Sequence, residues 1–367
     1  MTPRDAGHPR TVIFLGAGAS KADGAPLQAE LFWAYFQSAE IQNRVDPDMR
    51  AALERYFRQL WGIDVRGSLA GVELPTFEEA LGILDIADSR KELFRGMGDD
   101  PHATGTQELR NHLTALIALI LQERLRQHCP RHIELVNHLQ ELGRLCRTTF
   151  ISLNYDIIID NAIERVSIDG GTQRLPDYGV DFTPTPHSDS RLFPVASLLL
   201  KLHGSLNWLS CPACNTLSLF PGHKVVAELP SAPAHIRCQE CHQLQMPVVV
   251  PPTFFKVMSN FYLQQIWKRA EEELKQAGRI IFCGYSFPDA DMHVKYLLKR
   301  AEVNRTGEAP EVFIVNEHKG KKKQEREIER DRYMRFFRQK NKVRWTKLSF
   351  EKFAANPTLI EDESKWL

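Results

Sequence analysis

The chain has 367 residues, 43% hydrophobic and 25% charged, ordinary globular proportions with ample material for a core. Forty-seven Lys and Arg against 46 Asp and Glu leave a net charge of +1, which gives no polyelectrolyte argument for direct nucleic-acid or membrane-surface binding. No apolar run approaches the roughly 20 residues of a membrane span, and Val12–Leu15 is too short for a signal-peptide core, so a cytoplasmic protein is expected.

Residues 1–10 read as a leader. Thr11–Leu15 is a short apolar strand that runs directly into Gly16-Ala17-Gly18-Ala19-Ser20. A buried strand followed by a glycine turn is how dinucleotide folds bring backbone N–H groups against a pyrophosphate. The third glycine of G-x-G-x-x-G is absent, with Lys21 in its place, so a turn without a ligand stays open. A second turn, Asp23-Gly24-Ala25-Pro26, precedes a helix over Leu27–Phe36.

Residues 41–147 read as a helical insertion, with helices over Met49–Leu60, Thr76–Ile86, Gln107–Cys129 and His132–Leu145. The third of these puts Leu109, Leu113, Leu116, Ile117, Ile120, Leu121 and Leu125 on one wide stripe. The histidines here (His102, His112, His128, His132, His138) show no metal-ligand spacing and are expected on the surface or satisfied in the core.

Thr148–Leu153 is a second strand, with Asn154-Tyr155-Asp156 at its carboxyl end and a helix over Ile157–Val166. Ligands of open α/β sheets collect at such strand ends; the alternative is that Asn154 caps the next helix. A polar, proline-bearing loop over Leu175–Phe193 leads to a strand, Ser197–Leu202, and a turn expected to present His203-Gly204 beside open space. A histidine so placed suits a general base, although a plain turn is the alternative.

Four of the seven cysteines fall in two pairs, Cys211-x-x-Cys214 and Cys238-x-x-Cys241, and Cys129, Cys146 and Cys283 are scattered. In a chain that is not secreted, paired spacing points to metal rather than disulfides. Four thiolates select Zn2+ and leave no open coordination position, so a structural ion is expected in a small module over residues 208–246. After it come strands over Met246–Pro251, Arg279–Gly284, Glu311–Asn316 and Val343–Phe350, the last an edge strand. They alternate with helices over Asn260–Gln276, Asp289–Val303 and Lys321–Lys342, the last charged and read as a solvated face. Residues 351–367 read as a tail. The alternation implies an α/β fold with a doubly wound, Rossmann-like parallel sheet over residues 11–350, interrupted by the insertion and the zinc-ribbon module.

The ordered series of Gly-Ala-Gly-x-Ser, Asn-x-Asp, His-Gly, two cysteine pairs, Gly-x-Ser and Asn-Glu, spread over residues 11–317, resembles the sirtuin superfamily. That resemblance implies an NAD-binding Rossmann-like domain. Gly16, Ala17, Gly18 and Ser20 match the phosphate-binding turn. Asn154 and Asp156 match the pocket around nicotinamide and its ribose. His203 matches the catalytic histidine, and Gly284, Ser286 and Asn316 match the adenosine side.

Departures from the protein-deacylating members shape the expected activity. Asp23-Gly24-Ala25-Pro26-Leu27-Gln28-Ala29 stands where deacylases carry Ala-Gly-Ile-Pro-Asp-Phe-Arg. Val250-Pro251-Pro252-Thr253 stands where they carry Phe-Gly-Glu. With the helical insertion, Asn-Tyr-Asp and Gly-Tyr-Ser-Phe-Pro-Asp, the chain is most similar to the sirtuin-like NAD hydrolases of bacterial antiphage defence. The likeness implies a homo-oligomer and a partner such as a HerA-family ATPase. Many of those proteins lack the zinc ribbon, so NAD-dependent deacylation or ADP-ribosyl transfer stays open, as does a nucleotide sensor without turnover.

Overall fold

A computed structural model describes residues 9–92, 94–95, 105–125, 130–166, 175–183, 197–228, 236–250, 260–289, 291–316 and 321–367. Its strands are β1 (Thr11–Leu15), β2 (Thr148–Ser152), β3 (Leu198–Lys201), β4 (Gly204–Ser210), β5 (Leu217–Leu219), β6 (Met246–Val249), β7 (Arg279–Cys283), β8 (Glu311–Val315) and β9 (Val343–Trp345). Six of them form one parallel sheet in the order β3-β2-β1-β7-β8-β9. The order reverses at β1, so the chain winds first one way and then the other, which makes a Rossmann-like doubly wound sheet. The central strands are near-continuous buried runs because helices cover both faces.

Register aligns the ends of these strands. Leu15 lies beside Ser152 and Cys283, Ser152 beside Lys201, and Cys283 beside Val315. The residues that follow each strand therefore emerge along one edge of the sheet, at the switch point.

The helices are α1 (Ala17–Lys21), α2 (Leu31–Phe36), α3 (Ala39–Arg44), α4 (Pro47–Trp61), α5 (Phe77–Arg90), α6 (Thr106–Arg124), α7 (Pro130–Glu141), α8 (Ile158–Val166), α9 (Phe261–Gln276), α10 (Met292–Val303), α11 (Lys323–Phe336) and α12 (Phe350–Ala355). Their boundaries follow local chemistry. Asp46 caps α4, with Pro47 at its first position and Gly62 left-handed at its end. Thr76 and Glu79 form a reciprocal capping box on α5.

Two apolar cores result. One lies about the parallel sheet with α7–α12. The other joins α2–α6 to one face of the small sheet through Leu206, Leu209, Val225, Val226 and Ile236. Within the span read as a helical insertion, α7 packs against α8 and α12 and so belongs to the sheet-side core. Its first turn is capped from far away: the Asp23 carboxylate accepts from the N–H of Arg131 and His132 and pairs with His132 Nδ1 at 2.5 Å. His132 is thus a satisfied core histidine; His102 and His128 lie outside the described residues.

Several expectations need correction. Gly204–Ser210 is a strand rather than a turn; its polar Ser205 and Asn207 hide it from an apolar-run reading. It pairs antiparallel with β5 and β6 in a second sheet of order β5-β4-β6. The strand expected over Met246–Pro251 is therefore outside the parallel sheet, and only Val248 of β6 is buried. Residues 351–367, expected as a tail, fold onto the sheet, with Phe353, Ala354 and Ile360 buried and Leu367 N–H donating to Trp345 O. The charged helix is not wholly solvated, because α11 buries Glu329 and Tyr333. Among the described residues, no helix is long and apolar enough to cross a membrane.

Candidate active site at the carboxyl edge of the sheet

The turn after β1 and the turn after β7 interlock. Gly16 N–H donates to Cys283 O at 2.9 Å, and Gly18 N–H donates to Gly284 O at 2.8 Å. Gly284 has φ +62°, and a Cβ on it would stand 2.0 Å from Ala19 N. These glycines therefore bring two backbone turns together, and two of the amides expected to face a phosphate are engaged inside the protein. Ala17, on the same turn, is exposed.

The turn after β2 meets the same place. Asn154 Nδ2 donates to Gly16 O at 3.0 Å and to Ser20 Oγ at 2.8 Å. Ser20 Oγ donates to Asp156 Oδ2 at 2.7 Å, while Asp156 Oδ1 accepts from Ile158 N–H at 3.1 Å. The helix cap is thus Asp156 and not Asn154. The bonds fix the Asn154 amide by Nδ2, which leaves Oδ1 as its acceptor.

His203 follows β3 and reaches the same turn, with Nδ1 3.1 Å from Leu153 O. A carbonyl partner makes Nδ1 the donor, so the neutral ring carries its lone pair on Nε2. The ring is 3% exposed, against the expectation of an exposed histidine. The cause is local: His203 O accepts from Val250 N–H at 2.9 Å, drawing β6 over the turn, and the Tyr155 ring lies 6.2 Å away.

The four cysteines converge. Their sulfurs all lie within 4.8 Å of one another, with Cys211–Cys241 at 3.3 Å and Cys214–Cys238 at 3.5 Å. A tetrahedral ion bound at about 2.3 Å needs sulfur separations of about 3.8 Å, so the cluster fits one metal ion. The two knuckles have the same backbone. Asn215 N–H donates to Cys211 O and His242 N–H to Cys238 O, with Asn215 and His242 both at positive φ. Burial works against ionisation of Cys238, but hydrogen bonds from the Thr216 hydroxyl and from backbone N–H groups at Cys241 and Glu240 bring its thiol down to about 6. Such a thiol is ready to ligate as thiolate.

A profile of the SIR2-like domain matches residues 148–345. The chain belongs to the SIR2-like family. Among curated proteins none matches it. Solved structures similar to this SIR2-like chain include a Sir2–p53 peptide–NAD+ complex, at 14% identity over 96% of this chain and 92% of that one, TM-score 0.41. Sir2Tm bound to a propionylated peptide matches at 14% identity over 96% and 92%, TM-score 0.40.

On the other flank of the SIR2-like sheet, Asn316 follows β8 and turns its side chain inward. Its Oδ1 accepts from Tyr285 N–H at 3.1 Å, and its Nδ2 donates to Tyr285 O at 2.8 Å and to Glu329. Asn316 therefore shapes the turn over Gly284–Ser286, in which Ser286 is exposed. Phe287, at φ +53° and fully buried, is locked against Tyr333 at 4.6 Å and Phe336 at 4.9 Å.

Sequence reasoning missed a buried polar group behind the SIR2-like site. Lys201 Nζ donates to Asp156 O at 2.5 Å and to Asp160 Oδ2 at 2.9 Å, and Tyr178 Oη donates to Asp160 Oδ1 at 2.8 Å. Lysine and aspartate normally mark exposed positions. The available signal was spacing: Lys201 stands two residues before His203, and Asp160 four after Asp156.

Proposed function

We propose that this SIR2-like chain binds NAD in the crevice at the β1 switch point and hydrolyses the bond between nicotinamide and the ribose, giving nicotinamide and ADP-ribose. One observation carries the reading: hydrogen bonds join the side chains of Ser20, Asn154 and Asp156 there, and His203, from a third strand end, holds the same turn through Leu153 O.

Cleavage of that bond develops oxocarbenium character at C1′. Nicotinamide leaves as a neutral molecule, so no general acid is required. The protein must supply orientation, a nucleophile and charge stabilisation. His203, held by Leu153 O through Nδ1, acts as the base toward a ribose hydroxyl or, through it, water. Asn154 holds that water or the ribose. Asp156, fixed by Ser20, orients the nicotinamide carboxamide. The exposed Ala17 edge of the glycine turn and the Gly284–Ser286 turn take the pyrophosphate and adenosine portions, with Asn316 shaping the second turn.

The four thiolates hold a structural zinc ion, which ties β4 to the 238–241 knuckle and contributes no step. We assign the activity to abortive antiphage defence in the cytoplasm, by an oligomer that acts alone or with a HerA-family ATPase. An enzyme that destroys NAD must keep its active state a minor population in a healthy cell. A second reading, NAD-dependent deacylation or ADP-ribosyl transfer, is favoured by the four-thiol cluster. In it an acyl-lysine oxygen or another acceptor replaces water after the same first step. Incubation of the pure protein with NAD and no peptide separates the readings. Free ADP-ribose supports hydrolysis, product only with an acetylated peptide supports deacylation, and NAD binding without nicotinamide release identifies a sensor.

A further inference from the structure

Lys201 is the feature that fold stability explains least. It is completely buried, and its partner Asp160 is 3% exposed. Placing two charges in a protein interior is expensive, and apolar replacements of such pairs are often neutral or stabilising. The pair therefore has little value as a staple. Beyond Asp160, Lys201 Nζ donates to a backbone atom, the carbonyl of Asp156.

That carbonyl closes the turn that carries Asn154 and Asp156. Each end of the turn is held by a side chain from the end of β3: His203 binds Leu153 O and Lys201 binds Asp156 O. Between them, Tyr155 O accepts from Leu206 N–H at 3.0 Å, and Tyr155 Oη donates to Val250 O at 2.8 Å. Tyr178 orients Asp160 and stacks edge-on against Trp208 of β4 at 5.2 Å. The turn is thus anchored to β3 and to the small sheet, while its side chains at Asn154 and Asp156 meet the glycine turn.

We infer that Lys201 is a positioning residue: its ammonium, oriented by Asp160, clamps the Asp156 carbonyl and so sets the placement of the Asn154 and Asp156 side chains toward NAD. This rests on the proposed NAD cleavage. A charge-assisted bond to a carbonyl is shorter and stiffer than a neutral one, which suits a group that must hold a reacting geometry.

The test uses Lys201→Met and the double variant Lys201→Met/Asp160→Asn, which leaves no unpaired buried charge and guards against loss of folding. Peptide-level amide exchange is measured over residues 153–160, with residues 311–315 of β8 as internal reference. Nicotinamide release from NAD is measured alongside. The inference expects faster exchange over 153–160 with β8 unchanged. It also expects kcat to fall by about 100-fold while KM stays within about threefold, since displacement of positioned groups acts on the reacting geometry. Unchanged exchange over 153–160 in the folded double variant overturns the inference, whatever the turnover. Faster exchange with kcat within about threefold of an active wild type also overturns it. A wild type that releases no nicotinamide counts against hydrolysis by the chain alone instead, and the exchange result still decides whether Lys201 is the clamp.

Discussion

Gly204→Ala probes the junction on which the site depends. Gly204 follows His203, has φ +78°, and opens β4. A Cβ there would stand 1.8 Å from Val248 O and 2.7 Å from Val248 C, both backbone atoms of β6. No rotamer relieves that contact, so β4 and β6 must separate. Left-handed backbone costs a residue with a side chain about 1–2 kcal/mol. Forcing atoms into packed structure adds about 1–3 kcal/mol. The sum is a loss of about 2–5 kcal/mol. Unfolding entropy of about 2.1 cal/mol/K per residue over 367 residues converts this to a fall in Tm of about 3–6 °C. The separation also breaks the bond from Val250 N–H to His203 O, so nicotinamide release falls by about tenfold or more. Thermal unfolding followed by circular dichroism gives the first number, and a nicotinamide assay the second. Gly82→Ala is the control: nothing described lies within 4 Å of its Cβ position in α5, so it raises Tm by about 1 °C. A Gly204→Ala protein with wild-type Tm and turnover would refute the close junction of β4, β6 and His203.

Metal analysis of protein purified without chelator is expected to give one zinc per chain, lost in Cys211→Ser/Cys238→Ser; absence of metal in the wild type contradicts the four-thiol site. Asp23→Ala removes three bonds to the start of α7 and is expected to destabilise by about 2–4 kcal/mol at neutral pH. Burial raises the Asp23 pKa, but the hydrogen bond and charge of His132 and the two helix amides outweigh it and hold the carboxyl below its usual value. A depressed carboxyl stabilises the fold above its unfolded pKa and loses that contribution as pH falls through the folded one. Denaturant titrations should therefore show wild type and Asp23→Ala converging below the ordinary Asp range of about 4, and a constant gap down to strongly acidic pH contradicts the pairing.

The parallel sheet was legible because most of its strands are short apolar runs followed within two residues by a glycine, an asparagine or a histidine; the edge strand β9, which runs into Thr346, is the exception. TVIFL, RIIFC and EVFIV need no knowledge of their partners to read as buried strands. The cysteine knuckles were legible from spacing alone. β4 was not, because Ser205 and Asn207 are polar yet fully buried, and what makes it a strand is pairing with residues about 40 positions later. Glu329 and Tyr333 were hidden in a charged run because a stripe of two residues, four apart, is too narrow for a periodicity reading. Lys201 was unreadable for a related reason. A lysine beside an apolar run signals a strand end, and only the fold reveals that Asp160 and the Asp156 carbonyl await it. The exposure expected for His203 failed because β6 returns over the turn, a long-range contact with no local mark.

The central claim is tested most directly by incubating the purified protein with NAD, without any peptide, and following nicotinamide and ADP-ribose together. Asn154→Ala and His203→Ala serve as controls. The account predicts equal release of both products by the wild type and a loss of about 100-fold or more in each variant. Product formation that survives both substitutions would contradict it, because the chemistry would then lie outside the cluster of Ser20, Asn154, Asp156 and His203.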